Sequence, residues 1–342
     1  MLRRKWKIRA ISFLFVGAAG FVFWKVGRSA FAISRVVLER ESIRVFEKNE
    51  FKDVVYTSFD KDLNEITLKS SKVKEKDGKT FDFSNLVTTF NISPDEVATI
   101  FADETHFVSK GAKQCEMNGN VRLLTEGGLL LETEQSFVDI DKKFAYGNTD
   151  ILITQDDAQF FAKKYQFDME NKVVTLIKDV KGNLSDDLII ADRLVIDFDK
   201  VIGKDFKRVH AFGDSSYKTS QYNLKAAKNI VYTSQYAEAD GSVFLDFKKD
   251  NHNYRVKSDY IKMDLLENVI KRVVAEGNLQ IKMDNTTSIQ GDSGILEDDF
   301  LTITGNTIIF NEKGKILCKK AILNTKTNDI RVYESKGVIN KN

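Results

Sequence analysis

The stretch Ala275-Glu276-Gly277-Asn278-Leu279-Gln280-Ile281-Lys282-Met283 decides the fold. Its second half sets Leu279, Ile281 and Met283 two apart with polar residues between them, the alternation of a strand that buries one face. The Gly277-Asn278 pair supplies residues that accept positive φ, so the strand is interrupted or entered through a bend. Reading outward, Val243-Phe244-Leu245-Asp246-Phe247 and Leu194-Val195-Ile196-Asp197-Phe198 repeat the alternation. Helical spacing of apolar residues is not sustained anywhere after the first 35 residues.

Two independent series then emerge with one period. A glycine, usually followed by Asn or Asp and an apolar strand, recurs at Gly119, Gly147, Gly182, Gly213, Gly241, Gly277, Gly305 and Gly337. A small residue followed by an apolar-rich stretch recurs at Ala102, Thr133, Ala162, Ala191, Ala227, Ser258, Gly291 and Cys318, with Asp139, Asp168, Asp197 and Asp264 closing four of the copies. Both series advance by about 31 residues over the same region, which marks a repeated structural unit. That period is long for one rung of a parallel β-helix. It fits three or four antiparallel segments shared between two facing walls. The expectation is an all-β protein of elongated, twisted antiparallel β-jellyroll repeats, open like a taco, with a soft boundary near Leu184 to Asp187.

Composition agrees and narrows function. The chain has 342 residues, 25 phenylalanines and a single proline. A sheet of mostly interior strands has no place for a residue without an N–H, and Pro94 falls where a loop is expected. Phe81, Phe83, Phe90, Phe101 and Phe107 are expected to fill a wide interior. Three histidines and two cysteines leave little material for a metal site or a disulfide framework. Cys115 and Cys318 are expected to be separately buried.

The net charge of +2 hides an asymmetry. Residues 1–35 carry eight basic and no acidic groups, which leaves 44 basic against 50 acidic residues, a balance of −6, in the remainder. Arg3, Arg4, Lys5, Lys7 and Arg9 precede the uncharged run from Ala10 to Trp24. A basic flank before an apolar run marks the cytoplasmic side, so the bulk of the chain is expected in the periplasm, with residues 1–35 as tail and single transmembrane helix. The rival is a cleaved signal peptide, since Ala30-Phe31-Ala32 has the small-x-small form of a cleavage site. Lys25 and Arg28 are poor neighbours for such a site and favour the anchor.

Catalysis finds no footing. The recurring aspartates lie at strand ends, where turn capping accounts for them. His106, His210 and His252 have no Ser, Cys or metal-spaced partner, and no GxSxG, HExxH, GxGxxG or GKS/T motif occurs. No enzyme activity, cofactor, metal or nucleic-acid partner is expected. A passive envelope scaffold or adhesin built from the same repeats stays in competition, because it needs no ligand.

Several stretches resemble known families. Tyr56-Thr-Ser-Phe-Asp60, Ile66-Thr-Leu-Lys69, Leu86-Val-Thr-Thr-Phe90, Ala102-Asp-Glu-Thr105, Met117-Asn-Gly-Asn-Val-Arg-Leu123 and Thr133-Glu-Gln-Ser-Phe-Val-Asp139 follow the order of the LptC family of lipopolysaccharide export. Ala275-Glu-Gly-Asn-Leu-Gln-Ile281, Gly291-Asp-Ser-Gly294 and Leu301-Thr-Ile-Thr-Gly-Asn306 are similar to LptA, the OstA-like component. The resemblance implies a fusion: residues 36–185 as an LptC-like jellyroll and 186–342 as an LptA/OstA-like one. It also implies lipopolysaccharide, bound by its acyl chains, as the cargo passed from an inner-membrane ABC transporter toward the outer membrane. The implied groove residues are the inward members of the alternating strands. They are Phe81, Phe83, Val121, Leu123, Leu131, Ile151 and Ile153 in the first half, and Leu194, Ile196, Val243, Leu245, Leu279, Ile281, Leu301 and Ile303 in the second. The implied partners are the transporter permeases, at the edge near Val54 to Phe59, and a further periplasmic or outer-membrane Lpt component, at the edge near Ile330 to Tyr333.

Overall fold

The computed structural model describes residues 50–339 apart from 60–64, 109–113, 198–207, 284–286 and shorter stretches of one or two residues. The expected anchor in residues 1–35 and Pro94 lie outside the described residues. Among those described there is no helix, and the strands pair antiparallel. They fall into two compact units, one ending at Val180 and taking in the segment from Val195, the other made of Lys181–Leu194 and the chain from Asp205 onward.

Unit 1 is built from β1 (Glu50–Phe59), β2 (Glu65–Glu75), β3 (Thr80–Ser93), β4 (Glu96–Val108), β5 (Gln114–Thr125), β6 (Leu130–Asp139), β7 (Phe144–Gly147), β8 (Ile151–Gln155), β9 (Ala158–Ala162) and β10 (Lys164–Asp168). β11 (Val173–Leu184) and β12 (Asp187–Asp197) contribute residues to both units. Unit 2 continues with β13 (Val209–Phe212), β14 (Ser215–Lys218), β15 (Tyr222–Ala226), β16 (Asn229–Tyr232), β17 (Tyr236–Lys249), β18 (His252–Leu266), β19 (Val269–Met283), β20 (Thr287–Glu297), β21 (Phe300–Asn311), β22 (Gly314–Asn324), β23 (Ile330–Tyr333) and β24 (Lys336–Ile339).

The two sequence series are the two sides of one corner. In β19, Gly277 (φ +78°) and Asn278 (φ +48°) both sit in the left-handed region, and the register against β18 shifts there, between Lys257 and Tyr260. The glycine strand carries one residue more than its partner across the shift, a β-bulge that bends both strands. On β18 the buried set switches from Tyr254, Val256 and Ser258 to Ile261, Met263 and Leu265. A bend that also flips parity keeps apolar residues on the inside of both arms, so each long strand turns from one wall into the other. Asn278 donates its amide hydrogen to the Asp259 carboxylate at 2.7 Å, and Ser258 donates to the Glu276 carbonyl at 2.7 Å.

The corner recurs. In unit 1, Asn120 donates to Asp103 at 2.7 Å, and β4 switches from Ile100 and Ala102 to Thr105 and Phe107. Asn306 donates to Asp292 at 3.2 Å, while at Gly241 the aliphatic part of Lys228 takes the aspartate's place. The small residue of the second series is the last inward residue before the bend, where a larger side chain would meet the opposite arm: a Cβ on Gly291 would stand 2.5 Å from the Ile303 side chain. One position differs from the sequence reading. The inward small residue of the fifth copy is Ala226, 4% exposed, whereas Ala227 faces outward.

The phenylalanines also divide. Phe81, Phe83 and Phe107 are buried as expected, but Phe101 is half-buried on the opposite face of β4. Phe244, Phe300 and Phe310 are exposed. The turn reading of the aspartates holds for Asp139 and Asp168 but not for Asp264, which lies within β18 and faces Arg272 at 3.8 Å. Asp139 accepts from the backbone N–H of Lys142 at 3.0 Å, and Asp168 from that of Asn171 at 2.9 Å. Both cysteines are free and buried, and desolvation pushes the Cys115 thiol well above its ordinary range and raises that of Cys318.

Candidate functional site

The site is whatever the bent strands enclose, so the inward residues come first. Of the fifteen expected groove residues all but Ile153 are buried, Ile153 being half-buried beside its cross-strand neighbour Leu131. Alternation is strict around them: Leu123 is buried and Arg122 exposed, Ile281 buried and Gln280 exposed.

In unit 1, the inner faces of both arms are filled by large side chains. Phe81 and Phe107 stack at 6.5 Å between ring centres, and Phe83, Met117, Leu123 and Ile151 are almost wholly buried around the same interior. Tyr165 donates its hydroxyl hydrogen to Ser136 at 2.7 Å, and burial pushes its phenol well above the ordinary range.

Unit 2 holds an apolar cleft of about 310 Å³, counting the space open to solvent at its mouth. Phe247, Tyr254, Val256 and Ile281 line it from one arm; Val273, Ala275, Gly294, Leu296 and Leu301 line it from the other. It exists because Ala275 and Gly294 are direct cross-strand partners and present almost no side chain to the opposite arm. A Cβ on Gly294 would stand 2.7 Å from a terminal methyl of Leu279, which shows how closely the two arms approach beside the opening. Phe247 and Tyr254 stack at 5.1 Å and close its side. Most of that space is open to solvent, and the room left for a water-sized sphere is only about 20 Å³, so the cleft is a narrow slot whose lining is apolar and offers little hydrogen bonding.

Only Ile281 and Leu301 of the expected groove residues line this cleft. Sequence reading selected bulky alternating residues, whereas space comes from the small ones. A glycine and an alanine in strand register were the available signal, and Gly294 was already visible in the Gly291-Asp-Ser-Gly294 motif. Elsewhere in unit 2 polar atoms enter the interior. Tyr217 donates to the Asp187 carboxylate at 2.8 Å and packs on Tyr232 at 4.4 Å between ring centres. Burial pushes the Tyr217 and Tyr222 phenols up and raises the Asp187 carboxyl as well, with the Tyr217 hydrogen bond working against that last shift.

The outer strands are available for pairing. Among the described residues β1 pairs with β2 alone, and β23 and β24 pair with β22 alone, so each leaves an edge of unpaired backbone groups. Val55, on β1, is 65% exposed. No described cluster of three or more His, Cys, Asp or Glu is placed to hold a metal ion, and no described helix is long and apolar enough to cross a membrane.

Residues 50–185 match the family model LptC, lipopolysaccharide-assembly, LptC-related. No curated protein matches the chain. The match begins with β1 and ends just beyond β11, so the similarity to LptC-related lipopolysaccharide-assembly proteins falls on unit 1.

Proposed function

We propose that this LptC-like chain is a non-enzymatic carrier of lipopolysaccharide in the periplasmic export bridge, holding its cargo by the acyl chains inside the bent sheets. In this reading residues 1–35 anchor the chain in the inner membrane, and β1 is the edge at which transporter permeases dock by strand addition. The β23 and β24 edge takes a further Lpt component, and the second unit acts as an LptA-like module. The observation that carries the reading is the apolar cleft between the arms of unit 2, because an open hydrocarbon-lined space is what a scaffold does not need. Each acyl CH₂ withdrawn from water contributes roughly 0.8 kcal/mol, so a chain crossing the periplasm requires such a lining at every stage.

A passive scaffold draws support from unit 1, whose inward residues pack as an ordinary core. Photo-crosslinkers separate the two. Placed at Leu123, Ile281 and Leu296 they are expected to label with lipopolysaccharide, while those at Arg122 and Gln280, on the outer face, stay unlabelled. Equal labelling of both sets, or none at all, would favour the scaffold.

A further inference from the structure

Strand register sets one row of side chains across the outer face of one arm of unit 1. Asp82 lies opposite His106, His106 opposite Glu116, Glu116 opposite Phe137, Phe137 opposite Tyr146, and Tyr146 opposite Gln166. Their chain neighbours Phe83, Phe107, Cys115, Val138, Ala145 and Phe167 are buried, so the row stands on a packed wall. Strands β3, β4, β5, β6, β7 and β10, about 4.8 Å apart, make it about 24 Å long. Its two halves differ in chemistry. At one end Phe137 and Tyr146 stack at 5.1 Å between ring centres and 17° between planes, with Tyr146 exposed and Phe144 adjoining it at 6.1 Å. Beside them Glu116 Oε1 accepts from the Asn118 amide at 3.1 Å and from the Gln135 amide at 3.4 Å, and Gln135 also donates to Asn118 at 2.9 Å. At the far end Lys76 at 2.7 Å and His106 Nδ1 at 2.6 Å hold the Asp82 carboxylate. Fixing a long polar side chain costs up to about 2 kcal/mol, which an open sheet face does not require for its own stability. A network this complete prearranges the face for a ligand.

The geometry points to a carbohydrate platform: this face of unit 1 takes an extended, uncharged strand of β-1,4-linked sugars. The C–H face of a sugar ring lies on the Phe137–Tyr146 pair, whose faces are electron-rich. Hydroxyls of the next sugars bond to the amides of Asn118 and Gln135 and to Glu116, whose second oxygen has no partner among the described residues; bonds to a carboxylate are the stronger kind. Lys76 neutralises Asp82, so the row has little net charge with which to draw an ionic ligand. Shape selects the linkage. A β-1,4 strand is a straight ribbon and can follow a straight row, whereas an α-1,4 strand curls away from it. The site is on the outside of the sheet and stands apart from the lipid-carrying reading, which concerns the interior.

The test titrates the full chain, in phosphatidylcholine nanodiscs, into fluorescein-labelled chitohexaose or maltohexaose and reads fluorescence polarisation. Chitohexaose, the straight β-1,4 strand, is expected to bind saturably and about tenfold more tightly than the α-1,4 maltohexaose, the difference made by about one lost contact to a charged group. Tyr146→Ala and Glu116→Gln should each weaken chitohexaose binding about five- to tenfold, as expected for one stacked ring or one hydrogen bond to a carboxylate. Tyr146→Phe keeps the ring and should keep the affinity. Glu132→Gln, on the outer face of the other arm, should bind as the wild type does. Binding of neither oligosaccharide, equal affinity for both, or wild-type affinity in both Tyr146→Ala and Glu116→Gln overturns the inference, and each of these results leaves the lipid reading standing.

Discussion

Unit 1 and unit 2 bend their strands in the same way and fill them differently. At Gly119-Asn120 and Gly277-Asn278 the φ values, the register shift and the aspartate that accepts from the asparagine amide are nearly superimposable features. The interiors diverge: Phe81, Phe83, Phe107, Phe160 and Phe167 are buried in unit 1, whereas Ala275 and Gly294 oppose each other in unit 2 and leave a cleft. The corner is thus the grammar of the fold, set by backbone sterics rather than by what fills the interior. The side chains hung on the arms decide whether a unit's interior is filled or left with a cleft. The family match ends at residue 185, and the second unit, nearly all of which lies beyond it, keeps the grammar.

The largest effect should come from the interiors. Phe107→Ala removes a ring that is fully buried against Phe81 and leaves a void in close-packed surroundings, at a cost of about 4 kcal/mol. Leu296→Ala in unit 2 should cost only about 2 kcal/mol, near the lower limit for such truncations, because the vacated space joins an existing cleft. Urea unfolding of both variants checks this. Equal losses would mean that the two interiors are equally packed in solution and would break the contrast.

The corner should respond alike in both units and by less. An alanine at Gly119 would adopt φ near +73° with its Cβ 2.7 Å from Asp103 Oδ2, and at Gly277 near +78° with 2.5 Å to Asp259 Oδ2. The left-handed backbone alone costs an L-residue roughly 1–2 kcal/mol, and displacing the aspartate from its asparagine adds to it, so each variant should lose about 2 kcal/mol. Gly128, at φ +85° with nothing within 4 Å of a Cβ, isolates the backbone part, and Gly128→Ala should lose about 1 kcal/mol. Thermal unfolding in which Gly119→Ala or Gly277→Ala is no worse than Gly128→Ala would show that the aspartate contributes nothing to that corner.

This contrast also explains what the sequence could and could not reveal. The period was legible because both sides of every corner impose a residue type: a left-handed pair on one strand, a small inward residue on the other. What joins Ala102 to Gly119, or Ser258 to Gly277, is strand register, and that is a property of pairing between segments. For the same reason the slot at Ala227 was placed one residue late. The cleft was illegible for a deeper reason, since it arises from two small residues being cross-strand partners, Ala275 and Gly294, and neither alone departs from the pattern. Bulky inward residues such as Val243 and Leu279 were found correctly as interior, yet burial does not distinguish a wall of a container from the middle of a core.

The smallest effect separates the units by sign. In unit 1, partial burial works to raise the Asp82 carboxyl, but Lys76 at 2.7 Å and His106 at 2.6 Å outweigh it and hold the group below the ordinary carboxylate range. In unit 2, burial raises Asp187, and the Tyr217 hydrogen bond only partly offsets it. A depressed folded value stabilises above the unfolded value of about 4, and that stabilisation is lost as pH falls through the folded value. A raised folded value does the reverse: its contribution is fully present below about 4 and is lost as pH rises through the folded value. At pH 7, therefore, Asp82→Asn should destabilise and Asp187→Asn should be neutral to stabilising. Both groups are partly open to solvent, so each change should stay within about 0.5 kcal/mol. As pH falls below about 4 the wild-type carboxyls become protonated, and both variants should converge on the wild type. Chemical denaturation at pH 7 and in this acid range reads both trends, and two variants that move in the same direction at pH 7 would mean that the local environments of Asp82 and Asp187 do not differ as their contacts indicate.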